Sequence, residues 1–242
     1  KPLISILMAI YEPRLDWLQE QLESLNLQTY SNLELIVCDD CYPTVSFEVI
    51  NQLVTKCITS FQFTVSRNVK NLGSTGTFER LTKEAKGAYA AYCDQDDIWL
   101  PEKLDVLYKA IVENEALLVC SDMYIIDENG KRVADSITKV RRHHVFKSGE
   151  GLASELLFSN FVTGCTMLIK TDIAKLAVPF CPDMVHDHWL ALFCAERGRI
   201  ISVSENLVLY RIHNSNQTLM MAGVFDKKSY LQVRIVQYLN RM

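Results

Sequence analysis

Short apolar runs alternate with helical patterns through the first half of the chain, and this alternation constrains the fold more than any other feature. Leu15, Leu18, Leu22 and Leu25 recur at the spacing of one helix face, between apolar runs that are typical of buried strands. The full pattern predicts strands over 3–10, 33–38, 61–65, 88–93 and 117–120, with helices over 15–25, 49–57, 78–85 and 104–112. Nearly continuous apolar strands separated by helices indicate a mostly parallel sheet covered on both faces. We therefore expect an α/β, Rossmann-like fold.

The second half of the chain is less regular. The sequence Asp127-Glu-Asn-Gly130 predicts a turn between two strands over 123–133, and the polar, basic stretch Lys139–Gly149 is typical of a mobile loop. Further patterns predict a strand over 161–170, a helix over 186–197, a strand over 207–211 and an amphipathic helix over 225–242. Because no stretch rich in Gly, Pro or Ser separates two parts of the chain, we expect one compact domain over residues 1–242.

Composition argues against several classes of protein. The formal net charge is −4 and no basic run is present, so nucleic acid is not expected as a partner, because backbone phosphates require a clustered positive face. No apolar stretch approaches the ~20 residues of a membrane span, and the first residues lack the pattern of a signal peptide. Most of the eight cysteines lie in apolar runs, as expected for reduced thiols in a cytoplasmic protein. Cys38 and Cys41 have no second pair at zinc-site spacing, so redox or metal use of this pair is the weaker interpretation.

Three carboxylates, those of Asp94, Asp96 and Asp97, follow the strand predicted over 88–93, and a helix opening at Pro101 comes next. In open parallel sheets, ligands bind beyond the carboxyl ends of the strands. Oxygen ligands at that edge predict a divalent cation that neutralises a diphosphate, as in a nucleotide-dependent transferase. We expect Asp96 to bind the metal directly and Asp94 to hold a ribose or a metal-bound water. Asp97 either joins them or caps the following segment.

Polar residues also follow the first two predicted strands, at 9–13 and 39–40. Tyr11 could pack on a nucleobase, and Asp40 could accept a hydrogen bond from the imide N–H of a pyrimidine. The alternative is that these residues form turns and helix caps, for which Asp is well suited. Acidic clusters at two strand ends favour the functional interpretation.

Seven segments resemble, in their order, the family 2 glycosyltransferases with the GT-A fold: ISILMAIYEP, LELIVCDD, NVKNLGSTGTFERL, GAYAAYCDQDDIWLPEKL, NFVTGCTMLIK, VHDHWLAL and LVLYRIHNSNQ. The segments DQDDIW, NFVTG, HDHW and YRIHNSN most resemble the bacterial rhamnosyltransferase branch. The resemblance implies a nucleotide-sugar donor, either dTDP-L-rhamnose or a UDP-hexose, and a Mn²⁺ or Mg²⁺ ion. It also implies a saccharide or lipid-linked acceptor in surface polysaccharide synthesis. Peripheral contact with the inner face of the membrane is compatible with such an acceptor.

The resemblance implies a role for each matching position. Residues 1–122 would bind the nucleotide sugar, residues 123–217 would supply the acceptor and catalytic groups, and 218–242 would form the C-terminal amphipathic helix. The implied donor-binding residues are Ala9, Tyr11, Glu12, Asp40, Asn71, Asp94 and Gln95; the implied metal ligands are Asp96, Asp94 and His213; and the implied acceptor-binding residues are Thr163, Gly164, His186 and Trp189. Asp187, in HDHW, falls where inverting members place the catalytic base.

A physical argument for Asp187 stands beside the resemblance. A sugar hydroxyl is a poor nucleophile until a base takes its proton, and a positioned carboxylate contributes ~10²–10⁴-fold in that way. The alternative is that Asp187 caps the helix that follows it. His186 and His188 flank it and could touch the acceptor or face solvent. His213 is a metal ligand by type, or a lone histidine, and Trp189 is a sugar platform or a core residue.

Three positions depart from the family pattern. Cys41 stands where Gly is common, Ala9 lacks a hydroxyl often found there, and Ile212 replaces a polar residue of the rhamnosyl branch. A nucleotidyltransferase would require a Gly-rich, basic loop after the first strand, where this chain has YEPRLDWL. A non-catalytic carbohydrate-binding protein would be expected to lose the acidic cluster or Asp187. The C-terminal helix could lie on a membrane, or dock on the core or a partner subunit.

Overall fold

One nine-stranded sheet carries the part of the chain that the computed structural model describes, namely residues 1–41, 43–141, 144–214 and 216. The strands are β1 (Ile4–Ile10), β2 (Leu33–Asp39), β3 (Gln62–Arg67), β4 (Tyr89–Cys93), β5 (Ile98–Trp99), β6 (Leu118–Ile126), β7 (Arg132–Ala134), β8 (Met167–Lys170) and β9 (Ile200–Arg211). The helices are α1 (Leu15–Asn26), α2 (Phe47–Cys57), α3 (Gly73–Glu84), α4 (Lys103–Glu113), α5 (Ile137–Val140), α6 (Ala153–Phe158), α7 (Thr171–Leu176) and α8 (His186–Ala195).

The direction of the strands brings several chain segments to one edge of the sheet. The order is β3-β2-β1-β4-β8-β6-β9-β5, with β7 paired to β6. Strands β1 to β4 are parallel, β8 runs against β4 and β6, and β9 is parallel to β6. The carboxyl ends of β1, β2, β4 and β9 therefore meet at the edge where β8 begins. The expected mostly parallel α/β sheet is confirmed.

The sheet is buried on both faces, which explains why its strands are almost uniformly apolar. In β1, Ile4, Ile6 and Met8 join one core cluster together with the apolar faces of α1, α2 and α4. Leu7, which points to the other face, joins a second cluster built largely from α3 and α8. Alternate residues of one strand thus enter different cores, so no position along β1 is left for a polar exterior.

The strand predicted over 161–170 is wrong in its first half. Only β8, Met167–Lys170, is a strand, and a 3₁₀ turn at Gly164–Thr166 precedes it. The N–H of Thr166 bonds to the carbonyl of Thr163, and the N–H of Gly164 bonds to the carboxylate of Asp187. These N–H groups are therefore not free for a neighbouring strand.

The remaining predictions differ from the structure mainly at element boundaries. The hairpin over 123–133 is confirmed, whereas β5, α6 and α7 were not predicted and β9 begins seven residues before the predicted 207. The stretch Lys139–Gly149 begins inside α5, and 142–143 lie outside the described residues. The helix predicted over 225–242 also lies outside them. Within the described residues, no helix is long and apolar enough to cross a membrane.

Candidate active site

A cavity of about 600 Å³ opens at the carboxyl edge of the sheet, beyond the ends of β1, β2, β4 and β9. All of the site residues predicted from the sequence line it, except Trp189. They are Ala9, Tyr11, Glu12, Asp40, Asn71, Asp94, Gln95, Asp96, Thr163, Gly164, His186, Asp187 and His213. The parallel strand order explains this convergence, since residues far apart in sequence all follow strands that end at one edge.

The acidic turn after β4 is joined to the segment after β9. The Oδ2 atom of Asp96 lies 2.7 Å from Nε2 of His213, and the backbone N–H of His213 donates to Oδ1 of Asn216 at 2.6 Å. The His213 ring also packs on Trp17, with 4.8 Å between ring centroids. Asp96 and His213, which the resemblance assigns to the metal, thus lie side by side on the cavity wall.

Asp97 has a different environment from its two acidic neighbours. It is fully buried and does not line the cavity, and its Oδ1 accepts from the backbone N–H of Arg211 at 3.0 Å. Burial, with the charges of Asp96 and Asp94, raises the pKa of Asp97 well above its usual range. Arg211 in turn donates from Nε to the Asp96 carbonyl at 2.9 Å and pairs with Glu20 at 2.5 Å. Asp97 therefore fixes the turn from inside rather than facing a ligand.

One side of the cavity is built from the ends of β1 and β2. The Oδ1 atom of Asp40 accepts from Nδ2 of Asn68 at 2.6 Å and from the backbone N–H of Leu72 at 2.8 Å. The Gln95 side chain bonds to both the N–H and the carbonyl of Tyr11, at 2.9 and 2.7 Å. Two independent sets of hydrogen bonds therefore hold this wall.

The backbone conformation of Cys41 is one that suits glycine, the residue that the family commonly has at that position. Its φ is +61°, in the left-handed region that glycine adopts most easily. The turn after Asp40 therefore keeps the backbone conformation that a glycine would take. The departure from the family pattern changes the cost of the turn rather than its shape.

Asp187 lies in the first turn of α8, and Val185 rather than Asp187 is the N-cap residue. Its Oδ2 accepts from the N–H of Gly164 at 3.0 Å, and its Oδ1 accepts from Nδ2 of Asn160 at 3.3 Å. Burial raises the pKa of Asp187 to about 6, against the opposing effect of these donors. The structure thus holds a carboxylate of elevated basicity against the cavity, with both oxygens oriented by the protein.

The histidines and the tryptophan near Asp187 are largely buried, although His186 also lines the cavity. His186 packs against both Phe78 and Tyr92, with centroids 4.1 and 5.2 Å away, and burial lowers its pKa to about 3. Nε2 of His188 lies 2.6 Å from the Leu156 carbonyl. The indole N–H of Trp189 donates to the Ala177 carbonyl at 2.8 Å. Trp189 therefore takes the core position that the sequence had left as an alternative, and does not reach the cavity.

The cavity wall carries a strong excess of negative charge. Among the described residues that line it, the carboxylates are those of Glu12, Asp40, Asp94, Asp96, Glu128 and Asp187, and the one arginine or lysine is Arg14. Burial and the charges of Asp96 and Asp187 raise the pKa of Asp94 to about 7. A bare diphosphate would be repelled here, whereas a divalent cation would offset both sets of charges. Carboxylates with an imidazole are a donor set that Mn²⁺ or Mg²⁺ accepts, so Asp94, Asp96 and His213 match such an ion by residue type. Within the described residues, the three ligand groups that lie within 4.8 Å of one another are those of Asp94, Asp97 and Cys165.

Several cavity residues were not predicted from the sequence. Trp17 and Arg14 come from the start of α1, with the Arg14 guanidinium 3.8 Å from the Trp17 ring, and Glu128 comes from the β6–β7 turn. Asn160 and Arg211 lay inside quoted motifs, but their partners could not be assigned. Their roles depend on contacts with Asp187 and Asp96, which are distant in sequence.

Comparisons with known proteins show what this chain is similar to. Residues 5–176 match the family described as Glycosyl transferase family 2. A curated relative from Escherichia coli, UDP-Glc:alpha-D-GlcNAc-diphosphoundecaprenol beta-1,3-glucosyltransferase WfaP, is 26% identical over 215 residues, which is 87% of this chain and 78% of the relative.

Two solved structures share the fold. TarS 1-349 from S. aureus in complex with UDP-GlcNAc superposes with a TM-score of 0.74 at 20% identity, over 98% of this chain and 66% of that one. The mannosyltransferase PcManGT from Pyrobaculum calidifontis, in complex with GDP-Man and Mn²⁺, gives a TM-score of 0.71 at 14% identity, over 100% of this chain and 65% of that one. At these identities the likeness concerns the fold, and the expected GT-A fold is confirmed.

Proposed function

The chain belongs to glycosyl transferase family 2, and from that premise we propose that it is an inverting, metal-dependent enzyme that moves a sugar from a pyrimidine nucleoside diphosphate to an acceptor hydroxyl. The observation that carries the proposal is the Asp187 carboxylate, oriented by Gly164 and Asn160 at the wall of the acidic cavity. This wall combines the two parts that transfer needs, namely a base for the acceptor and a group of metal ligands for the leaving diphosphate.

Asp187 acts as the general base. Its raised pKa matches it to a hydroxyl proton better than an exposed aspartate would, while it remains ionised at neutral pH. The Gly164 and Asn160 donors fix both oxygens, so the carboxylate meets the acceptor without reorganising. One displacement then inverts the configuration at the sugar carbon, and no nucleophile of the protein is needed.

The acidic turn binds the donor. Asp94, Asp96 and His213 would hold a Mn²⁺ or Mg²⁺ ion, which offsets the charge of the diphosphate as it leaves. The negative wall around them supports this requirement, because Arg14 is the one lysine or arginine that the described lining contributes. Asp40, Tyr11 and Ala9 line the same cavity at the ends of β1 and β2, where they would meet the base.

The donor is proposed to be dTDP-L-rhamnose or a UDP-hexose. The segments DQDDIW and YRIHNSN support the first, and the name of the E. coli relative, which includes UDP-Glc, supports the second. That relative is also named for a diphosphoundecaprenol acceptor, which supports a lipid-linked acceptor. Thr163 and Gly164, beside Asp187, would contact the acceptor.

Two experiments test the proposal. Calorimetric titration with dTDP and with UDP, each with and without Mn²⁺, identifies the nucleotide; metal-dependent binding of one of them is expected, and binding of neither contradicts the donor site. In the second experiment, Asp187→Asn should keep nucleotide binding and lose ~10²–10⁴-fold in transfer. Asp135→Asn, an exposed change on the β7 side, is the matched control. Near-normal transfer by Asp187→Asn would show that the base is elsewhere.

A further inference from the structure

Lys103 is the first residue of α4 and is fully buried, which is unusual for a lysine. Its Nζ donates to the backbone carbonyl of Cys165 at 2.6 Å and lies 2.9 Å from the centroid of the Trp99 ring. A buried ammonium is costly unless it is paired and hydrogen-bonded, so its position calls for a reason. The family resemblance assigned no role to it.

The surroundings of Lys103 are acidic. The carboxylates of Asp94 and Asp97 and the thiol of Cys165 bring one ligand atom each within 4.8 Å of one another. Burial lowers the pKa of Lys103 to about 7, while Asp97 and Asp94 act in the opposite direction. The lysine thus supplies positive charge on the interior side of the acidic turn, opposite to the side that faces the cavity.

The hydrogen bond of Lys103 ends on a segment that touches the proposed base. Cys165 belongs to the 3₁₀ turn Gly164–Thr166, and Gly164 is the residue whose N–H donates to Oδ2 of Asp187 at 3.0 Å. Lys103 comes from the same strand–turn–helix unit that carries Asp94 and Asp96. One side chain therefore connects the donor-binding turn to the turn that orients Asp187.

We propose that Lys103 is a positioning residue: its ammonium holds the Cys165 carbonyl so that the neighbouring Gly164 N–H stays directed at Asp187, coupling the geometry of the base to the donor-binding turn. The part that concerns the reaction rests on the proposed function, whereas the contact with Asp187 does not. An ammonium suits this position because one of its three N–H donors meets the Cys165 carbonyl, while Asp97 and Asp94 favour its charged form.

The test compares Lys103→Met with Lys109→Met, which removes a lysine on the same helix whose side chain is 73% exposed. The first readout is the pKa of Asp187. It is measured by ¹³C carboxyl NMR on aspartate-labelled protein without metal, and the Asp187 signal is assigned by its loss in Asp187→Asn. The proposal expects this pKa to rise by about 0.5–1 pH unit in Lys103→Met, because one N–H donor weakens, and to stay unchanged in Lys109→Met. Arg141, which also lowers the pKa of Asp187, is the same in both variants. Asp94 loses the nearby charge of Lys103 in Lys103→Met, so its own pKa is followed in the same spectra.

The second readout is transfer. Lys103→Met is expected to lose about tenfold or more in kcat, while the donor KM changes less. The fall in rate on the acid side of the pH profile should begin at a higher pH than in the parent. If Lys103→Met does not fold, Lys103→Leu, which also lacks a donor for the Cys165 carbonyl, carries the same measurements. An unchanged Asp187 pKa in the folded variant overturns the proposal whether or not transfer is found. If the Asp187 pKa shifts in Lys103→Met but the parent protein shows no transfer, that result counts against the proposed function alone.

Discussion

The side-chain amide of Gln95 forms a pair of hydrogen bonds with the backbone of Tyr11, donating to its carbonyl at 2.7 Å and accepting from its N–H at 2.9 Å. Tyr11 follows β1 and Gln95 follows β4, so this pair joins two loops that the sheet alone would leave independent. The loop proposed to meet the nucleobase and the loop proposed to meet the metal and diphosphate are thereby held in one arrangement.

Gln95→Ala should therefore weaken donor binding without affecting Asp187, the proposed catalytic base. Two hydrogen bonds with the backbone are lost, each with a net value of about 0.5–1.5 kcal/mol, so the donor Kd should rise about tenfold. Calorimetry on the nucleotide with Mn²⁺ measures this change. Gln19→Ala, which removes a half-buried glutamine bonded to Glu23, should leave the Kd as it is. An unaltered Kd in Gln95→Ala would mean that the two loops keep their arrangement without this pair.

The pH dependence of transfer should follow Asp187. Because burial raises its pKa to about 6, kcat/KM should fall about tenfold per pH unit below that value as the base becomes protonated. Asn160→Ala should move this limb upward, since the Asn160 side chain stabilises the ionised form. A pH–rate profile between pH 4.5 and about 8 measures both effects. If kcat/KM falls at the same pH in Asn160→Ala as in the parent, the titrating group is not Asp187.

The same carboxyl should affect stability with the opposite sign to a salt-bridged aspartate. Its folded pKa of about 6 lies above the usual 3.8, so its contribution is fully present below pH 3.8 and is lost as the pH rises through about 6. Asp187→Asn removes this loss, because the amide stays neutral. The variant should therefore have a higher Tm than the parent at pH 8, and a difference close to zero at pH 4. A lower Tm at pH 8 would mean that the ionised carboxylate stabilises the fold.

The sequence predicted the site better than it predicted the contacts within it. Asp40 and Asp94 could be placed because polar residues directly after buried strands must meet at the carboxyl edge of a parallel sheet. Arg211 and Lys103 could not, since a buried cation is explained only by partners far along the chain, here Glu20 and Cys165. The strand predicted over 161–170 was wrong for a related reason. Its apolar residues suit a strand, but the N–H of Gly164 is used by Asp187, and no periodicity records that contact.

Cys41 offers a test of backbone strain that is separate from catalysis. Its φ of +61° is unfavourable for a residue with a Cβ atom, so Cys41→Gly should stabilise the fold by about 0.5–1 kcal/mol. Cys41→Ala is the matched control, because it removes the thiol but keeps the Cβ, and it should bring no such gain. Urea unfolding measures both variants. A loss of stability in Cys41→Gly would mean that the thiol contact with the Val69 carbonyl outweighs the strain.

Gly164 should be intolerant of even one added carbon. A Cβ atom there would lie 2.7 Å from Nε2 of His186, whose ring packs against Phe78 and Tyr92. Gly164→Ala must therefore displace either the ring or the turn, at a cost of about 1–3 kcal/mol in stability. Because the same residue supplies the N–H that orients Asp187, transfer should fall as well.

A second variant separates crowding from the loss of the hydrogen bond. His186→Ala removes the ring that the new Cβ would meet, so the double variant with Gly164→Ala should lose less stability than the two single changes combined. Unfolding in urea measures this coupling, and the acid limb of the pH–rate profile reports on the Gly164 N–H. Recovery of both stability and the limb in the double variant would assign the defect to the ring. Additive losses would instead mean that Gly164 acts through its backbone alone, as the donor to Asp187.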